Sequence, residues 1–441
     1  LSKPFFDSFS DLEAWRGPVK TFSSATLALY LLATITSMAA MEFFGWLSFA
    51  LALVLVLAHR PVSAGAVMQL VPWRIAVLLL GVTALGLAIN GTENVEFWPG
   101  LGSQRWVFLL LTHCLLLAWL FPTERVLGVL FILGSIIAIY AIFQSFTGID
   151  LLRPGENRAV QPLDVSGDRP YWRSAGLFGS PMHYVYIAGQ HLCFAFATLL
   201  LWKPLSQVGR STLVWLAAVA FALIGLSILT TYVRGGWIAA FMSVLVIAFV
   251  HDRRMGFSAL GLLSAVGATA VLISDAVRLR FLQLFDLGFT SNSDRWVLWQ
   301  INWQMFLDYP LLGIGYQENE LRAKEYVLKL GLPETTFTGH AHNTYLQFLS
   351  GTGIVGLTLY LALIIWFLRL TLQTLRTSAL TVHERTVLLG ALGAQIHVHV
   401  GGLTECNFKA GVTNHSVMVV WALVVAVAFR SQLRASRLST S

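Results

Sequence analysis

Two histidines, His340 and His342, stand in the segment GHAHNTYLQFLSGTGIVGL, where a long polar stretch gives way to an apolar run. In helical geometry His342, Leu346, Leu349, Gly353 and Gly356 would share one face. The two glycines there would let a second helix approach closely. Imidazole titrates nearest neutral pH, so His342 could take a proton from a hydroxyl. A histidine that merely caps a helix end at a membrane surface is the plainer reading. Arg234 stands alone between apolar stretches in TTYVRGGWIAA, with Gly235 and Gly236 beside it. A guanidinium at such a place is costly without an anionic partner. Its planar fork suits phosphate, and the glycines would allow close backbone approach. Snorkelling to lipid headgroups is the alternative.

Three further segments carry polar groups at the edges of apolar runs. Arg295, in SNSDRWVLWQINWQMFLDYPLLGIGYQ, is flanked by Trp296 and Trp299. That spacing fits an amphipathic helix lying at an interface, and Asp294 could pair with a neighbouring base. Arg169 and Arg173 precede a Gly/Pro-broken run in RPYWRSAGLFGSPMHYVYIAGQH. Phosphate or sugar contact and simple headgroup positioning both fit them, and the same choice applies to Glu405 and Lys409 in GGLTECNFKAG. His113, His191, His397 and His399 lie inside apolar runs and read as hydrogen-bonded structural histidines. Walker A, HExxH, GxSxG and Cys/His zinc patterns are missing. The long polar loops carry no Asp-x-Asp, so no metal and no cofactor is expected.

The elements that must hold these groups are membrane helices. Of 441 residues, 56% are hydrophobic and only 12% charged, where a soluble chain carries about 25% charged. Mean hydropathy is +0.70. Apolar runs long enough to cross about 30 Å of hydrocarbon lie near 22–41, 43–58, 74–90, 105–121, 125–146, 184–201, 212–230, 234–250, 256–274, 353–371, 386–402 and 414–430, twelve in all. No β-barrel alternation is present, so the expected fold is an all-α integral membrane protein in one polytopic domain, 1–441. The three cysteines sit in or near apolar runs and offer no disulfide framework. The opening stretch before the first run is polar and mixed, with no secretory signal pattern.

Placing both termini in the cytoplasm puts sixteen Lys and Arg on that side against three in the short loops opposite. The net charge of +7 is therefore a topology signal rather than a nucleic-acid footprint. Two long loops then face outward, 147–183 and 275–352. Loops of that length between spans are uncommon unless functional. The second contains amphipathic stretches and is expected to form a partly helical cap over an outward-facing site.

Taken in order, these segments resemble the O-antigen ligase family and its relatives, the O-antigen polymerases and bacterial protein O-oligosaccharyltransferases. The most specific match is His342-Asn343, nine residues, then Gly353-Ile-Val-Gly356. Arg234 in TYVRGGW resembles the family's membrane-edge arginine, and Arg295 its arginine early in the large loop. NFKAGVTNHSV departs from the family's more acidic stretch, which leaves Glu405 without an assigned role. The resemblance implies a GT-C-like glycosyltransferase on the periplasmic face of the bacterial inner membrane. It would transfer a glycan from undecaprenyl diphosphate to a sugar hydroxyl of lipid A–core oligosaccharide, without metal and with inversion. In that scheme Arg234 and Arg295 grip the diphosphate and His342 is the general base. Arg173, His340, Asn343 and Tyr345 are secondary candidates. Partners would be the lipid-linked donor, the lipid A–core acceptor and membrane lipids, with no nucleic acid. A polymerase or a protein O-oligosaccharyltransferase would use the same donor. A transporter of that glycan fits less well, since there is no inverted repeat and no acidic residue in mid-span.

Overall fold

Apolar runs of this length satisfy their backbone groups within lipid only as helices, and the expected runs are helical, though the first, 22–41, is divided by a break at Ser37. The computed structural model describes residues 18–59, 62–91, 101–153, 160–163, 171–286, 288–377 and 379–438. In the first half, α1 (Pro18–Thr36), α2 (Met38–His59), α3 (Val62–Leu70), α4 (Trp73–Asn90), α5 (Trp106–Trp119) and α6 (Glu124–Thr147) are followed by a short ribbon. The ribbon pairs β1 (Gln161–Leu163) antiparallel with β2 (Tyr171–Arg173). Next come α7 (Pro181–Leu200), α8 (Trp202–Gln207), α9 (Ser211–Thr230), α10 (Arg234–His251) and α11 (Arg253–Ile273). The segment before the next long helix folds as α12 (Asp275–Leu282), α13 (Thr290–Asp308), α14 (Glu318–Leu321) and α15 (Ala323–Lys329). Then α16 (Thr344–Leu375), α17 (Val382–Gly401), a 3₁₀ turn (Asn407–Lys409) and α18 (Gly411–Leu438) complete the chain.

Among the described residues, eight helices are long and apolar enough to cross a membrane, and α1 and α5 contain shorter apolar stretches. Helices α7 and α17 carry more polar side chains, including Gln190, Glu384, Gln395 and His397, all buried. These face protein rather than lipid, which is where such residues are tolerated. At the centre lies α18, whose run VMVVWALVVAVAF is apolar on every side and buried throughout, as expected of a helix surrounded by others. At the edge, α11 is almost wholly exposed.

The cap α12–α15 has a small core of its own, built from Ile301, Met305, Ile314, Ala323, Tyr326 and Val327. It is riveted to α16 by a buried polar knot. Asn319 donates to Asn302 Oδ1 (2.8 Å) and Ser350 Oγ (3.1 Å), and Ser350 donates to Asn302 (2.7 Å). A second fastening uses backbone alone. At Gly353 (φ 64°, ψ −171°) α16 breaks, which frees carbonyls above the break and amides below it. Cap residues 310–315 fill the gap: Ile314 N–H donates to Ser350 O (2.9 Å) and Gly315 N–H to Gly351 O (3.2 Å), while Ile354 N–H donates to Pro310 O (2.9 Å). A Cβ at Gly353 would stand 2.2 Å from Leu311 O. The expectation that Gly353 serves side-by-side helix packing is thus corrected: it makes a break into which the cap inserts.

Candidate active site

Asn343 is the N-cap of α16, its Oδ1 accepting from Tyr345 N–H (2.9 Å) and Leu346 N–H (3.0 Å). His342 therefore precedes the helix rather than riding on its face, a correction to the expected helical stripe. Its backbone is left-handed (φ 45°), which costs a non-glycine residue about 1–2 kcal/mol. Neighbouring bonds hold it there. Thr344 N–H donates to Gly402 O (2.7 Å), and Asn343 Nδ2 to Leu403 O (3.0 Å). Thr344 Oγ1 donates to Glu405 O (3.1 Å). These contacts splice the start of α16 to the loop after α17 and bring two distant side chains together.

The result is a dyad. His342 Nδ1 lies 3.0 Å from Glu405 Oε2. A carboxylate there takes the Nδ1–H and leaves the Nε2 lone pair free, which is the tautomer a general base needs. Burial alone would raise the Glu405 carboxyl pKa. The hydrogen bond from His342 and the nearby charges of His342, His340 and Arg295 hold it below the usual range. The His340 ring lies beside that of His342, tilted by 51° with centroids 4.1 Å apart. Burial, then the neighbouring His342, keep its pKa down, against the pull of Glu405 and Glu320.

Glu405 also faces an open pocket lined by four arginines, Arg173, Arg234, Arg280 and Arg295. Arg173 is set by the ribbon: it pairs in register with Gln161, whose Oε1 accepts from Nη1 (3.0 Å), and Nε donates to Thr231 O (3.3 Å). Arg234 opens α10, so the positive end of that helix's dipole also points here. It donates to Gln283 O and to Asn292 Oδ1 (2.8 Å), tying the α12–α13 turn to the bundle. Gly235 lines the same pocket. Its missing Cβ makes room for Thr404, whose Oγ1 would otherwise lie 2.1 Å away.

Against these four guanidinium groups stands one lining carboxylate, Glu405, leaving three positive charges in excess. Arg295 Nη2 is 3.9 Å from Glu405 Oε2. Burial, followed by the charges of its arginine neighbours, lowers both Arg173 and Arg280 to about 10, and both stay charged at neutral pH. Arg280 Nε and Arg295 Nε are buried with no hydrogen-bond partner among the described residues. Buried donors of this kind are rare unless something accepts from them. A multiply charged anion with several acceptor oxygens satisfies both the charge and the unused donors.

Residues 219–361 match the model of a family described as O-antigen ligase. The match spans about a third of the chain. No curated protein matches the chain. The matched segment contains Arg234, Arg280, Arg295, His340, His342 and the break at Gly353, while Arg173 and Glu405 lie on either side of it.

Of the expected site residues, Arg173, Arg234 and Arg295 share the pocket, and His340 and His342 meet it through Glu405. Asn343 works as a helix cap. Tyr345 turns away into the bundle, its hydroxyl donating to His399 O (2.7 Å). Arg169 lies outside the described residues. Arg280 was missed; it differs from its exposed neighbour Arg278, paired with Asp275, only in which way α12 faces. His340, His342 and Glu405 present donor atoms within 4.8 Å of one another, a set that could hold a divalent cation. The adjoining guanidinium groups raise the cost of a dication there.

Proposed function

We propose that this chain is an O-antigen ligase: it transfers a completed glycan from undecaprenyl diphosphate to a sugar hydroxyl of lipid A–core oligosaccharide. The observation that carries this reading is the Glu405 carboxylate, which bridges His342 (3.0 Å) on one side and Arg295 (3.9 Å) on the other. A base and an anion site are thereby adjacent.

In the reaction, His342 Nε2 takes the proton of the acceptor hydroxyl while its oxygen attacks the anomeric carbon. The bond from that carbon to the diphosphate oxygen breaks, and the electron pair leaves with the diphosphate. Arg173, Arg234, Arg280 and Arg295 stabilise the charge that develops there. Glu405 steadies the imidazolium until its proton is released. A single displacement inverts the anomeric centre. These cations come from the chain itself, so the reaction needs no metal. All twelve expected runs cross the inner membrane in this scheme, with the termini cytoplasmic and the cap, 275–352, and the loop 147–183 periplasmic.

The test uses purified full chain in detergent with a polyprenyl diphosphate glycan and lipid A–core, in the presence of chelator. A glycan ladder on lipid A–core, lost in His342→Ala, supports the ligase. Lengthening of the carrier-linked glycan instead makes the chain a polymerase. Transfer to a serine of a pilin-like protein makes it a protein O-oligosaccharyltransferase. No transfer from folded protein to any acceptor leaves the transporter reading.

A further inference from the structure

Two chain segments meet at the dyad: residues 340–343, which lead into α16, and residues 402–409, which follow α17. Both are fastened to one carboxylate of the cap. Glu320, in α14, accepts from Gln347 Nε2 (2.9 Å) and is paired with Lys409 Nζ through both oxygens. Gln347 is 1% exposed. Its Nε2 also donates to Asn319 Oδ1 (3.0 Å), so both amide donors point into the cap and the amide oxygen is turned the other way. That oxygen accepts from Ala341 N–H at 3.0 Å. Ala341 is the residue immediately before His342. Lys409 stands four residues after Glu405, at the end of the 3₁₀ turn.

We propose that Glu320 is a positioning residue for the His342–Glu405 pair, an inference that rests on His342 being the base. On its C-terminal side the left-handed His342 is anchored by the contacts of Asn343 and Thr344 with the loop after α17. On its N-terminal side the backbone anchor is Ala341 N–H to Gln347, and Glu320 and Asn319 fix which way that amide faces. An acceptor lost from the Gln347 amino group lets the amide turn over, which presents a donor to the Ala341 N–H and drives that turn away. The same carboxylate holds Lys409, so a single cap residue governs the approach of both halves of the dyad. Docking of the cap and alignment of the base are then one event. Glu320 touches neither the arginine pocket nor a reacting atom, so its effect falls on turnover rather than on donor binding.

The experiment measures kcat and donor KM, per folded molecule, for Glu320→Ala, Glu320→Gln, Gln347→Ala and the double variant Glu320→Ala/Gln347→Ala, with His342→Ala alongside. Expected are a ten- to hundredfold loss of kcat in Glu320→Ala, with donor KM within about twofold of wild type. Glu320→Gln, which keeps an acceptor for Gln347 but loses the ion pair, should recover part of that loss. The double variant should be no worse than the worse single one, since both act through one chain of contacts. Wild-type kcat in Glu320→Ala beside an inactive His342→Ala overturns the proposal while sparing the base. Full activity in His342→Ala removes the base itself. A lower melting temperature with unchanged kcat assigns Glu320 to the fold alone and overturns the proposal. If Glu320→Ala does not fold, Glu320→Gln and Lys409→Ala carry the test, and unchanged kcat in both overturns it.

Discussion

His342 and Glu405 are 63 residues apart in sequence and 3.0 Å apart in space, and the proposed chemistry depends on that closure. Replacing His342 by Ala should lower kcat about 10²–10⁴-fold with little change in donor affinity. A near-wild-type rate in the assay above would move the base elsewhere. The pair Arg278 and Arg280 offers a sharper comparison, since they share a helix of eight residues and differ in what they face. Arg280→Ala should weaken donor binding about tenfold or more, by the loss of a charge-assisted contact. Arg278→Ala, which breaks only an exposed pair with Asp275, should leave it within about twofold. Equal effects of the two would argue against the pocket. At this scale the sequence was informative where a residue was odd for its surroundings, as Arg234 is between apolar runs. It was silent where meaning came from a distant partner. Glu405 is an ordinary loop glutamate until His342 and Arg295 arrive beside it. Arg280 is indistinguishable from Arg278 until α12 docks.

The all-helical character was legible because lipid leaves a backbone few choices, and eight of the helices are long and apolar enough to cross a membrane among the described residues. The break in α16 was not, because a glycine in an apolar run reads equally as a packing contact. Gly353→Ala tests the difference. A left-handed φ and a Cβ 2.2 Å from Leu311 O should destabilise the cap junction by at least about 2 kcal/mol, seen as earlier thermal inactivation. Gly356, whose φ is helical, should be judged separately. The cap also carries an acid-sensitive contact. Asp308 accepts from Tyr326 Oη (2.7 Å) and pairs with Lys329. Burial raises its pKa, but Lys329, Tyr326 and Gln304 together outweigh it and hold the carboxyl below its ordinary value. A lowered carboxyl pKa contributes stability above the unfolded value, about 3.9, and loses it as pH falls through the lower folded one. Limited proteolysis of the cap should therefore quicken below about pH 4 in wild type, and Asp308→Asn should show a flatter profile.

For the molecule as a whole, charge distribution predicts sidedness, and single cysteines check it once Cys114, Cys193 and Cys406, all buried, are replaced. In intact cells lacking an outer-membrane barrier, an impermeant maleimide should label Glu334→Cys in the cap. Lys203→Cys, exposed at the opposite end of α7, should react only after permeabilisation. The reverse pattern would invert the topology and with it the proposed site of transfer. One consequence concerns the nine residues between Asn343 and Gly353. At their lower end the chain is pinned by cap residues 310–315 inserted at the break, and at their upper end by the splice to Gly402. Between two fixed ends, an inserted or deleted residue would turn the upper end by about 100° and shift it by about 1.5 Å. His342 would then swing out of reach of Glu405, whatever residue had been added. That spacer is therefore a ruler, and its count constrains the site independently of the contacts that Thr344, Gln347 and Ser350 make.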